Sequence, residues 1–260
     1  AEEKRYICAN NHAFDIARQG YVNLLLSSQR PSKAPGDSAE MIADRRAFLD
    51  TGHYQPLRER VLERLAQLQQ RTQHTQQILD LGCGEGYYTA AFARAQRTVY
   101  ALDISKPALA IAARRTREIT WCIGTSRALP FHDRSLDVVI NIFCRPHVSE
   151  TQRVLREHGT LLLVGPGAQH LRELRDVLYD NVKLDDSHTA PALLNEGFTL
   201  AHSETLHYRF TLEGMAIGQL ARMTPHYWRA PAERRALLDK LETLTLQAEF
   251  IVQEFQTISC

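Results

Sequence analysis

The run Asp80-Leu81-Gly82-Cys83-Gly84-Glu85-Gly86 follows directly on the apolar stretch Ile78 to Leu81 and precedes a segment of helical character. Glycines let a backbone turn tightly and let a ligand approach it closely, while a helix start presents unpaired N–H groups. Chemistry of this kind suits a nucleotide-like ligand. The dinucleotide fingerprint G-x-G-x-x-G would need glycine where Tyr87 stands; the spacing here is G-x-G-x-G, which weakens an NAD or FAD reading. Seventeen residues after Gly86, Asp103 closes the apolar stretch Thr98 to Leu102, where a carboxylate can accept both hydroxyls of a ribose. Together the two features predict one adenosine-binding edge. Taken singly, they would read as a turn and a helix cap in an unrelated α/β fold.

Such an edge needs strands to carry it. Ile78 to Leu81, Thr98 to Leu102, Thr120 to Ile123, Leu136 to Phe143 and Thr160 to Val164 read as strands. Tyr87 to Ala95 and Ala108 to Arg115 read as helices between them, the second capped by Ser105 with Pro107 in its first turn. Leu57, Val61, Leu65 and Leu68 recur at helical spacing ahead of the first strand, and Gly36 to Glu40 reads as a loop entering a helix. Strands alternating with helices predict an α/β fold: a Rossmann-like, doubly wound, mostly parallel sheet with helices on both faces. After Phe198, Leu206 to Leu212 reads as an extra strand and Pro231 to Phe255 as largely helical.

Composition narrows the function. The 260 residues are 44% hydrophobic and 23% charged, with a formal net charge of +1, so any nucleic-acid contact must come from a local patch. Apolar stretches such as Leu161 to Val164 fall far short of a bilayer span, and the charged start Ala1 to Arg5 lacks a secretory core, which makes the cytoplasm the expected compartment. Five cysteines, an odd number spread thinly, point to reduced thiols or metal ligands rather than a disulfide framework.

The stretch Ile78 to Ala90, the Leu102 to Lys106 segment and Leu129-Pro130-Phe131 resemble the cofactor motifs of S-adenosylmethionine-dependent methyltransferases. More narrowly, Gly20 to Leu25, Gly36 to Met41, Arg45 to Leu49, Gly52 to Leu57 and Met223 to Pro225 resemble the 23S rRNA guanine-N1 methyltransferases over nearly the whole chain. The resemblance implies a small N-terminal zinc-ribbon-like module over residues 1–35 and an S-adenosylmethionine-binding domain over 36–260. It implies methyl transfer to a guanine of a 23S rRNA hairpin by a homodimer, and the wording at Gly36 to Met41 and Gly52 to Leu57 leans to the housekeeping branch. Two other readings stay open: a small-molecule methyltransferase, and a non-catalytic cofactor-binding resistance or regulatory protein.

By the same resemblance, Asp80 opens the cofactor turn, Gly82, Gly84 and Glu85 line the methionine and ribose, and Asp103 takes the ribose hydroxyls. Ile104 packs on the adenine, Ser126 and Leu129 edge it, and Tyr54 and His170 lie near the cofactor. Without the resemblance, Tyr54 reads as a cover on the sheet edge and His170 as the cap of a helix starting at Leu171. Cys8 and His12 match the second half of the family's zinc site; its upstream Cys-x-x-Cys is missing, so either the start is trimmed or this member has lost the metal.

A proton must leave guanine N1, and Asp37, Glu40 and His53 are candidate acceptors. Phe143, Tyr54 and Trp228 are candidates to stack on an extruded base. Phe143 to Pro146 departs from the tyrosine, alanine and proline common there in the family. Arg45, Arg46 and the cluster Arg222, His226, Arg229, Arg234, Arg235 are candidate phosphate contacts.

Overall fold

The computed structural model describes residues 5–26, 36–94, 96–180, 193–194 and 196–258. A two-stranded antiparallel hairpin, β1 (Arg5–Ile7) and β2 (Ala13–Asp15), precedes the main sheet. That sheet contains β3 (Tyr21–Asn23), β4 (Gln76–Leu81), β5 (Arg97–Asp103), β6 (Thr120–Ile123), β7 (Leu136–Ile142), β8 (Leu155–Pro166), β9 (Phe198–Glu213) and β10 (Thr243–Thr257). Its order is β3-β6-β5-β4-β7-β8-β10-β9. Pairing is parallel from β3 to β8, and β10 runs antiparallel to both of its neighbours. The expected mostly parallel Rossmann-like sheet is therefore present. Strand β3, inside the stretch expected to form the N-terminal module, is its outermost parallel strand.

Both faces of the sheet are covered. Ile78, Val138 and Ile140 pack on one side with Phe48 of α1 (Ala39–Asp50) and with Leu57, Val61 and Leu65 of α2 (Gln55–Gln70). Leu79, Leu81 and Val139 point the other way, onto Val154 of α4 (Val148–Val154) and Phe198. Burial on both faces explains why β4 reads as a continuous apolar run rather than an alternating one. The crossover helix α3 (Lys106–Ala112) begins where Ser105 Oγ accepts from Ala108 N at 3.4 Å, as expected, although it ends at Ala112. The remaining helices are α5 (Arg172–Leu178), α6 (Met215–Arg222), α7 (Pro225–Arg229) and α8 (Ala232–Leu238).

Two expectations are corrected. The helix expected over Tyr87 to Ala95 reduces to a 3-10 turn at Thr89–Ala91; Ala95 itself lies outside the described residues. Side chains compete for the local backbone and fold the segment back on the strand: Tyr87 N donates to Glu85 Oε2 at 2.8 Å and Thr89 Oγ1 to Asp80 Oδ2 at 2.5 Å. The helix expected over Pro231 to Phe255 stops at Leu238, and β10 follows. Leu246, Ala248, Phe250 and Val252 are buried at a period of two, and β10 is flanked by ladders to β8 and β9, so pairing on both sides overrides the helix-like composition. Leu206 to Leu212 is a strand as expected, within the longer β9.

Candidate functional site

The C-terminal ends of β4, β5, β6 and β7 open on one cavity of about 290 Å³, close to the lower bound for small-molecule sites. The turn after β4 forms its floor. Gly82 stands at φ +83°, and a Cβ there would lie 2.4 Å from Cys144 Sγ, so neither the conformation nor the space admits a side chain. Gly82 N donates to Leu102 O at 2.8 Å, pinning the turn to the neighbouring strand.

Asp103 joins the two strand ends. Its Oδ2 accepts from Gly84 N at 2.9 Å and its Oδ1 from Ser105 N at 2.8 Å, so the carboxylate is fixed by backbone donors while lone pairs remain for a ligand. Burial raises its pKa and these two donors oppose the rise. Asn141, at the end of β7, is fully buried; its Nδ2 donates to Leu81 O at 3.2 Å, and its Oδ1 lacks a hydrogen-bond partner on a wall of the cavity. A glycine floor, an oriented carboxylate and an orphaned acceptor fit the ribose and adenosyl portion of S-adenosylmethionine.

Of the residues expected at the cofactor, Gly82, Gly84, Asp103, Ile104 and Ser126 line this cavity. Asp80 lies beneath it: buried, bonded to Thr89, and with a carboxyl pushed up to about 7 chiefly by desolvation. Glu85 is buried beside the turn, 3.6 Å from Arg115 Nη2, with Oε1 unpartnered and its pKa raised by burial. Leu129 is buried as well, and its N–H donates to Glu150 Oε2 at 2.7 Å. Asn141, Cys144 and Arg145, at and just after the end of β7, also wall the cavity, and strand-end position is a usable signal for them. Asp37 and Arg45 reach the cavity from a segment remote in sequence, and no local pattern marks that placement.

Tyr54 and His170 form a separate pair. Tyr54 is 1% exposed, and its hydroxyl lies 3.3 Å from His170 Nε2. His170 Nδ1 accepts from Glu249 N at 3.3 Å, which requires the neutral tautomer with hydrogen on Nε2; desolvation accordingly lowers its pKa to about 3. The cap reading for His170 is corrected: α5 starts at Arg172 with no side-chain cap bond. Phe250 packs on both rings, and Phe143 lies over His170 at 6.5 Å between centroids, inclined 29°. Phe143 is 43% exposed at the end of β7, with φ +59° held by its N–H bond to Val164 O at 2.9 Å.

Several basic residues expected to contact phosphate are engaged internally. Arg222 makes two bonds to Asp44 at 2.6 and 3.0 Å, Arg46 pairs with Asp50, Arg234 with Asp180, and Arg235 lies over the Tyr227 ring. Cys8 Sγ and His12 Nδ1 face each other at 3.4 Å on the exposed turn between β1 and β2. They are suitable zinc donors, but they supply half of a four-ligand set, and among the described residues no group of three or more candidate ligands exists.

A family model described as a methyltransferase domain matches residues 78–165, and one described as the RlmA N-terminal zinc ribbon matches residues 1–33. The YcgJ protein from Bacillus subtilis superposes with a TM-score of 0.52 at 18% identity, covering 75% of this chain and 97% of that one, a likeness of fold. Demethylmenaquinone methyltransferase of Tropheryma whipplei is 37% identical over only 34% of this chain and 41% of its own. By contrast, the 23S rRNA (guanine(748)-N(1))-methyltransferase of Streptomyces fradiae is 35% identical over 94% of this chain and 89% of its own. Kinship that extends from the cofactor edge through both flanking regions places this chain in the 23S rRNA (guanine-N1)-methyltransferase family.

Proposed function

We propose that this protein transfers the methyl group of S-adenosylmethionine to N1 of a guanine in a 23S rRNA hairpin. The observation that carries the reading is the cavity where Asp103 is locked to the glycine turn by Gly84 N, in a chain whose kinship to an rRNA enzyme runs nearly end to end. When bound, the sulfonium supplies an electrophilic methyl that needs only a well-placed lone pair. Asp103 would accept the ribose hydroxyls, Ile104 and Ser126 would border the adenine, and Asn141 Oδ1 would take a donor of the ligand.

The base would enter beside Phe143. Tyr54 is too deeply buried to stack on it, and Trp228 is anchored through Nε1 to Arg222 O at 2.8 Å. Phe143 adjoins Cys144 of the cavity wall and is exposed on the surface. Among the candidate proton acceptors, Asp37 lines the cavity, Glu40 is exposed on α1, and His53 packs against both Phe48 and Phe210.

We assign Cys8 and His12 to one half of a structural zinc site that takes no part in the chemistry, and the active form to a homodimer working in the cytoplasm, where its rRNA is. No helix among the described residues is long and apolar enough to cross a membrane. Incubation with labelled cofactor and unmodified 23S rRNA, followed by nuclease digestion and mass spectrometry, should yield N1-methylguanosine. Label found only on a small molecule, or nowhere, overturns the reading.

A further inference from the structure

The cavity wall at the end of β7 carries a guanidinium that nothing in the fold uses. Arg145 lines the cavity, is exposed, and makes no ion pair or hydrogen bond among the described residues. The other arginine of the cavity, Arg45, is held by Asp37. The segment that presents Arg145 is seated on both sides of it. Phe143 N donates to Val164 O at 2.9 Å, Cys144 Sγ lies 3.9 Å from Gly82 O, and Pro146 is buried. A fixed strand end thus offers an unspent cation on the cavity wall, two residues from the exposed Phe143 beside which the base would enter.

Its use follows from the edge of the base that must face the methyl group. On that edge of guanine, N1–H stands between O6, an acceptor, and the 2-amino group, a donor. Placing N1 in the cavity brings O6 in with it, while the sugar and its phosphates stay outside. Of the charged groups that line the cavity, Asp37 and Asp103 are carboxylates and Arg45 is engaged by Asp37, which leaves Arg145 as the charged donor for O6. Loss of the N1 proton puts negative charge on O6, so a donor there binds the base more tightly as the reaction proceeds.

We propose that Arg145 is a catalytic residue that donates to O6 of the target guanine and stabilises the anion formed as N1 loses its proton. This rests on the reading that the protein methylates guanine N1 from S-adenosylmethionine. In the step, the N1–H bond breaks and its proton passes to a carboxylate, the role for which Asp37 lines the cavity. The electron pair on N1 forms the bond to the methyl carbon, and the carbon–sulfur bond breaks with its pair left on sulfur. The positive sulfonium and the negative carboxylate both end neutral, and Arg145 keeps its proton throughout.

Single-turnover methylation of unmodified 23S rRNA, with enzyme and cofactor saturating, tests it. Arg145→Gln is expected to slow transfer by about 10- to 100-fold near neutral pH, the span of a charged hydrogen bond, and the deficit should narrow as alkaline pH ionises N1 unaided. Affinity for S-adenosylhomocysteine should stay within about twofold in calorimetry, which also reports an intact cavity. Arg145→Lys should recover part of the rate, because it keeps the charge without the planar fork. With 6-thioguanosine at the target position, where sulfur is the poorer acceptor, the ratio of wild-type to Arg145→Gln rates should fall towards one. An unchanged rate in Arg145→Gln overturns the assignment, as does an equal ratio on both bases or a matching loss of homocysteine affinity. So does a defect that saturation removes and that lowers the salt slope of rRNA binding by about one, which would put Arg145 on a phosphate. If the wild-type protein methylates no guanine, the functional reading itself fails; an active wild type with an unaffected variant removes this assignment alone.

Discussion

The cofactor edge and the aromatic cluster behind it share one end of the sheet, yet they are held by different forces. At the edge, Gly82, Gly84 and Asp103 are joined through backbone N–H groups and a positive-φ turn, from two strands that are adjacent in both sequence and space. In the cluster, Tyr54, Phe143, His170 and Phe250 come from the start of α2, the end of β7, the approach to α5 and the middle of β10, and meet by ring packing and one side-chain contact. A site made of backbone conformation has few acceptable sequences. One made of packed rings can lose a member and relax.

Substitutions should separate the two. The largest effect is expected at the turn: Gly82→Val forces a branched side chain onto φ +83° and into Cys144 Sγ, 2.4 Å from where its Cβ would stand. A destabilisation of about 2–4 kcal/mol follows, read from urea midpoints, together with loss of cofactor binding. Asp103→Ala removes the acceptor of two backbone donors and of the ribose, and should weaken S-adenosylmethionine binding by about 10- to 100-fold in calorimetry with the fold retained.

In the cluster, Phe143→Ala should leave cofactor affinity unchanged and lower kcat/KM on rRNA by about 5- to 100-fold, the range of a base–aromatic stack. An equal loss of cofactor affinity would show that the two regions are one site. The smallest effect is electrostatic. His170 stays neutral in the folded state down to about 3, whereas an unfolded histidine takes its proton near 6.5. The unfolded chain therefore binds the proton first, so stability is full above about 6.5 and declines as pH falls towards 3. Urea midpoints measured near pH 7 and near pH 5 should differ less in His170→Gln than in the parent.

The same contrast marks what could be read from residues alone. Asp80 to Gly86, Asp103 and the capping Ser105 were legible because glycine turns, strand-end carboxylates and helix caps act within a few residues of their own positions. The turn at Thr89–Ala91 was misread as a longer helix because the bonds that fold it back, to Glu85 and Asp80, are made by side chains that composition does not orient. The stretch after Thr243 was misread for a different reason. Its buried alternation at Leu246, Ala248, Phe250 and Val252 is present in the residues, but its neighbours β8 and β9 are what make it a strand.

Kinship and an adenosyl-binding edge thus belong to the amino-acid order itself, since both rest on short words whose geometry is local. The meeting of Arg45 and Asp37 with the glycine turn, the burial of Tyr54 against His170 and the opening of Phe143 beside Cys144 were decided by the tertiary structure. Each depends on which helix crosses which strand end, and that choice is made by the packing of α1, α2 and β10 over the whole sheet, which no short stretch of residues encodes.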